Sequence, residues 1–209
     1  MQDEEENDSY QDRITDILLN GSVYQKVKIR TYRWFSAPVP KRLKWQAILL
    51  FSLAAIYPVM SFLPTTTKEK YFRTTEIATT SPTVALLAAA CIVFTVLGAA
   101  GHLGAVYLRI HWQSNMTRQK AQELLSLEEA SSVIGVGTAG IGASVTHFLT
   151  SLGFSGTATM RKYSLTPYEL SGSVFTLEAV AITAVLFGTL LYIAGCTADV
   201  RLTEENLTY

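Results

Sequence analysis

The stretch VALLAAACIVFTVLGAAGHLGAVYL, Val84–Leu108, contains no Asp, Glu, Lys or Arg. As a helix rising ~1.5 Å per residue it would be roughly 37 Å long. That is enough to cross the ~30 Å hydrocarbon layer of a bilayer. A helix on the core of a water-soluble bundle keeps a polar stripe on its outer side. This stretch has none, so it reads as a membrane-crossing helix.

Three further stretches meet the same criterion of about 20 mostly apolar residues. They are WQAILLFSLAAIYPVMSFL (Trp45–Leu63), ASSVIGVGTAGIGASVTHFLTSLGF (Ala130–Phe154) and GSVFTLEAVAITAVLFGTLLYIAG (Gly172–Gly195). Gly, Ser and Thr make the Ala130–Phe154 stretch the least hydrophobic. The expected fold is an all-α membrane protein with four transmembrane helices and both termini on the same side. Residues 1–44 form a polar N-terminal segment, 45–195 the four-helix domain, and 196–209 a short acidic tail. The opening MQDEEEND is acidic and has no apolar core, so a cleavable signal peptide is not expected. The first span would act as an uncleaved insertion signal.

Composition agrees. Of 209 residues, 49% are hydrophobic and only 16% charged, against about 25% charged in a typical soluble domain. Mean hydropathy is +0.24, too apolar for a disordered chain. Lys+Arg and Asp+Glu are 17 each, which gives no basic excess for nucleic acid. Two cysteines cannot form a disulfide scaffold. Cys91 reads as a packing residue within the second span, and Cys196, at the inner end of the fourth, as a free thiol open to acylation.

Charge is distributed unevenly. The side carrying both termini would hold twelve basic residues, against five in the two opposite loops. The positive-inside rule then places both termini in the cytosol or an organelle matrix. The membrane itself stays open among mitochondrial inner membrane, endoplasmic reticulum and plasma membrane. Lys26, Lys28, Arg30, Arg33, Trp34, Lys41, Arg42 and Lys44 mix cations with an aromatic ring just before the first span. They are expected at the headgroup layer, in contact with anionic lipid. The segment Pro64–Thr83 reads as an irregular exposed connection.

Gly135, Gly137 and Gly140 match G-x-G-x-x-G over VIGVGTAGIG. The pattern resembles a dinucleotide fingerprint, but the strands, crossover helices and distal acidic residue it requires are missing. No nucleotide is expected. The small residues read better as a packing face: Gly135, Ala139 and Ala143 in the third span, Ala181, Gly188 and Gly195 in the fourth, Gly101 and Gly104 in the second. In lipid, close backbone approach through small side chains supplies the contact energy between helices. Spans two, three and four are therefore expected to pack together.

His147 and Glu178 are each about 10 Å from the outer end of their spans by helix rise. An intramembrane hydrogen bond between them is expected. His102 lies nearer the other side, about 15 Å away along the membrane normal, too far to share a haem iron with His147. No metal-ligand spacing or catalytic motif occurs, and no cofactor or enzymatic activity is expected. The function expected is that of a non-catalytic accessory subunit of a larger membrane complex, partnered by other membrane proteins. The alternative is a small channel or ion transporter using Glu178 and His147.

Overall fold

The computed structural model describes residues 17–19, 21–31, 35, 37–72, 77–155, 167–168 and 175–207, with side chains up to residue 200. Its longer elements are α1 (Val23–Arg30), α2 (Val39–Ala54), α3 (Ile56–Ser61), α4 (Thr65–Tyr71), α5 (Thr83–His111), α6 (Arg118–Ser132), a π-helical segment (Val133–Thr138), α7 (Ala139–Ser151) and α8 (Leu177–Leu207). Four helical stretches are long and apolar enough to cross a membrane: Val39–Ser61, Thr83–His111, Arg118–Ser155 and Leu177–Val200. They are called spans one to four below. The third has the lowest hydropathy of the four, 1.3 against 2.4 for the second, as its Gly, Ser and Thr content predicts.

Span one starts at Val39, earlier than its apolar run. Pro38 caps it and Pro40 sits in its first turn, where a missing N–H costs nothing because no intrahelical acceptor exists there. The helix is interrupted at Ala55. Pro58 has no N–H to offer the Ala54 carbonyl, and its ring crowds that carbonyl, which breaks the ladder.

The packing order differs from expectation. Span four lies chiefly along span one, not against span three. Gly188 and Gly195 make the contact. A Cβ on Gly188 would stand 3.0–3.3 Å from the Phe51 ring, and one on Gly195 3.1 Å from Lys44 Cγ and 3.2 Å from the Pro40 carbonyl oxygen. Ala181, on the same helix, is half-buried. Spans two and three pair separately, and span one touches both. At the centre of the two–three seam Gly98 lies on the backbone of Gly135, and Gly101 on Ser131. Ala139 and Ala143 are buried, 0% and 4% exposed. Gly104, expected in the seam, faces open space. A small-residue stripe shows which face can approach a neighbour, not which neighbour arrives.

Lys44 pairs with Asp199 at 3.0 Å, and Ser132 meets both Arg42 and His102. The starts of spans one and three thus share one end of the bundle with the ends of spans two and four. The opposite end is closed by structure where an irregular connection was expected. α4 buries Thr67, whose hydroxyl donates to the Gly153 carbonyl at 3.1 Å. Tyr168 is wholly buried. Its ring meets Tyr71 and Phe72 at centroid distances of 5.8 and 5.7 Å, and its hydroxyl donates to the Thr150 carbonyl. Burial pushes its phenol up to about 12, so it remains a donor at neutral pH.

Candidate functional site

At the end shared by Arg42, His102 and Ser132, polar side chains converge inside an apolar bundle. Arg42 is 0% exposed. It lies on the inward face of α2, in phase with buried Val39, Gln46, Leu50 and Leu53. Its Nε donates to the Ala37 carbonyl at 2.7 Å and its Nη2 to the Phe35 carbonyl. Its Nη1 donates to Ser132 Oγ at 2.7 Å and to the Glu128 carbonyl at 3.3 Å. The guanidinium's fixed fork reaches all four acceptors at once, which a lysine could not do. Arg42 was expected at the lipid headgroups; it is instead an internal clasp joining span one, its lead-in segment and span three.

Ser132 is shared. Its proton goes to the Glu128 carbonyl at 2.8 Å, so it accepts from Arg42 and from His102, whose Nε2 lies 3.4 Å away. This assigns the Nε2–H tautomer to His102. One turn earlier, the buried Glu128 carboxylate accepts from the Tyr24 hydroxyl at 2.6 Å. The Arg109 guanidinium stacks 4.6 Å from the Tyr24 ring centroid. The Tyr24–Glu128 bond docks α1 on span three, and the Arg109 contact ties it to span two. α1 itself is set by a capping box: Gln25 N–H donates to Ser22 Oγ, and Ser22 N–H to Gln25 Oε1 at 2.9 Å.

Directly after Ser132 the helix widens into the π-helical segment Val133–Thr138. In an α-helix a four-residue repeat drifts by about 40° per step. The wider π turn takes up that drift, so Ser131, Gly135, Ala139 and Ala143 hold one buried face. π-Helical turns recur at functional sites. Gln46 rests on this one. Its side chain is fully buried, and a Cβ on Gly135 would collide with its amide. Neither amide atom of Gln46 has a hydrogen-bond partner among the described residues.

The expected His147–Glu178 pair does not form. His147 Nε2 lies 3.2 Å from Ser52 Oγ on span one, and the Ser52 proton goes to the Leu49 carbonyl at 2.7 Å. His147 therefore donates to Ser52. Glu178 is exposed in the first turn of α8, where the helix dipole favours a carboxylate. Span four's position on span one separates the two.

The remaining basic residues divide. Lys28 lies 5.9 Å from the Tyr24 ring centroid and Lys41 5.5 Å from that of Trp45. Lys44 is bound to Asp199. Lys26 and Arg30 line a cavity on α1. Arg33 and Trp34 lie outside the described residues. Among those described, no three His, Cys, Asp or Glu side chains cluster as metal ligands. Sequence reasoning missed Gly98, Tyr24, Gln46, Glu128 and Ser132. Gln46 could have been found, because it follows Arg42 by one helical turn on the face carrying Leu43, Ala47 and Leu50. Comparison with models of protein families, with curated proteins and with solved structures gives no match.

Proposed function

We propose that this chain is a non-catalytic, multi-pass structural subunit that assembles laterally with other helical proteins in a membrane. The observation that carries the reading is Glu178. It is an exposed carboxylate heading an apolar helix, and no described residue of the chain pairs with it. Below it Ile182, Val185, Leu186, Leu190 and Ile193 are exposed, and only 28% of the span-four window is buried within the chain. A carboxylate at the edge of a lipid-facing surface is costly unless a cation or hydrogen-bond donor meets it, and a neighbouring subunit supplies one. The polar node supports the same reading, because its identified hydrogen bonds tie helices to one another. We place the Arg42 end, with both termini, toward the cytosol or matrix, following the basic excess before span one.

The test is mild-detergent purification of the full chain followed by native mass spectrometry. Stable partners are expected, and Glu178→Gln should release them without unfolding the chain. A chain that runs alone, or a homo-oligomer that conducts ions in liposomes, contradicts the proposal. Orientation has its own readout. Asn115, followed by Met116 and Thr117, is exposed in the turn between spans two and three. It should carry no glycan when the chain is expressed in a glycosylating host; a glycan there inverts the topology.

A further inference from the structure

A second polar feature stands apart from the node. α1 and the start of α6 enclose a cavity of about 330 Å³. Lys26 and Arg30 reach it from α1, and Arg118 and Gln122 from α6. Val27, buried at 8% exposure, forms part of its floor. Among the described residues no acidic side chain lines it. Lys26 is steadied at the rim by donating to the Leu19 carbonyl at 3.3 Å, which uses one of the ammonium's three protons.

Three cations brought to one concavity by two helices repel one another, and folding gains nothing from holding them together. α1 could pack on α6 through Tyr24 and Val27 with neutral residues in their place. Two of the three are guanidiniums, whose paired donors match the oxygens of a phosphate bidentately. Arg118 is the first residue of α6, so the positive end of that helix adds to the same field. We infer that this cavity binds a phosphate monoester, held by Arg30, Arg118 and Lys26 with the Gln122 amide as a neutral donor.

Depth bears on the source. Arg118 precedes Ser132 by fourteen residues of continuous helix, which sets it about 21 Å along the axis from the Arg42–Ser132 level. A soluble phosphorylated molecule reaches that height freely. A lipid reaches it only through an extended phosphorylated headgroup. The shared chemistry is the terminal phosphate.

The experiment uses the full chain in neutral detergent. Two soluble probes, inorganic phosphate and a phosphorylated inositol, are titrated by calorimetry. Retention of a phosphatidylinositol monophosphate, whose phosphate stands on the inositol ring, over phosphatidylcholine from mixed micelles is read by native mass spectrometry. Arg30→Gln and Arg118→Gln change exposed side chains and leave the Tyr24–Glu128 contact in place. Lys120→Gln removes the same charge from α6 outside the cavity. Saturable binding of a soluble probe, weakened roughly tenfold by either arginine variant and unchanged by Lys120→Gln, supports a soluble ligand. Selective retention of the phosphatidylinositol monophosphate with the same variant pattern, and no soluble binding, supports a lipid source. Binding of neither, or equal loss in Lys120→Gln, overturns the site.

Discussion

Alanine at Gly98 tests the seam that holds spans two and three together. Its Cβ would stand 2.6 Å from the Gly135 nitrogen and 2.7 Å from the Ser131 carbonyl oxygen. Comfortable contact for carbon is about 3.5–4.0 Å, so the helices must part by about 1 Å. Both obstructing atoms are backbone, and no rotamer change relieves them. Parting the helices also loosens the neighbouring approaches of Gly101 to Ser131 and of Cys91 to Gly142. Overpacking of this kind costs about 1–3 kcal/mol. Against it stands the gain of about 0.5–1 kcal/mol from replacing a helical glycine by alanine. Gly104→Ala isolates that gain, because nothing lies within 4 Å of a Cβ there. The difference between the two variants is therefore the overpacking alone. It corresponds to about 5- to 150-fold in the unfolding equilibrium. Unfolding in mixed micelles titrated with a denaturing detergent, followed by tryptophan fluorescence, measures it. If Gly98→Ala proves as stable as Gly104→Ala, the seam is not where we place it.

Arg42→Met leaves the Ala37 and Phe35 carbonyls without their Arg42 donor and takes one of two donors from the Glu128 carbonyl, and should destabilise the chain by about 2–5 kcal/mol in the same assay; a loss below 1 kcal/mol would count against the clasp. Gln46→Met removes two buried polar atoms that lack partners among the described residues, and should raise stability by about 1–3 kcal/mol; a drop would mean that the amide has a partner beyond those residues. Tyr168 has its folded-state phenol raised above its unfolded value. Its contribution is thus complete below about pH 10 and lost as pH rises through about 12. The gap between wild type and Tyr168→Phe should be constant from pH 7 to 9 and shrink toward pH 12; a gap that does not narrow refutes the buried phenol.

The four spans were legible because charge-free runs of this length have few other uses. Their neighbours were not. Gly188 and Gly195 repeat every seven residues as a packing face should, yet nothing in that spacing names Phe51 and Lys44 as the surface they meet. The basic segment shows the same limit. A cation before an apolar run is ambiguous between lipid and protein, and only the phase of Arg42 with Leu43, Gln46 and Leu50 points inward. The Tyr24–Glu128 contact joins residues 104 apart in sequence, and no local pattern encodes it. The π-helical segment was hidden because VIGVGT is also a sound α-helical sequence in lipid. The four-residue repeat that runs through it was visible, but the strain of holding that repeat on one face was not counted. His147 and Glu178 are matched by depth and by lying on small-residue faces, and neither says which helices are adjacent.

The Arg42 clasp has a consequence for the birth of the molecule. Its acceptors on span three lie 86 and 90 residues downstream. At about 5–20 residues per second of synthesis, roughly 5–18 s pass before they exist. Through that interval, in a chain inserted as proposed, the first helix bears a guanidinium with nothing in the third to receive it. We expect Arg42 to wait at the aqueous boundary and to sink only when Ser132 arrives. A cysteine placed at the neighbouring buried position 43, with Arg42 kept, should react with a water-soluble maleimide in chains arrested before residue 132, and become shielded in longer ones. The helix that enters first would then be among the last to reach its final depth.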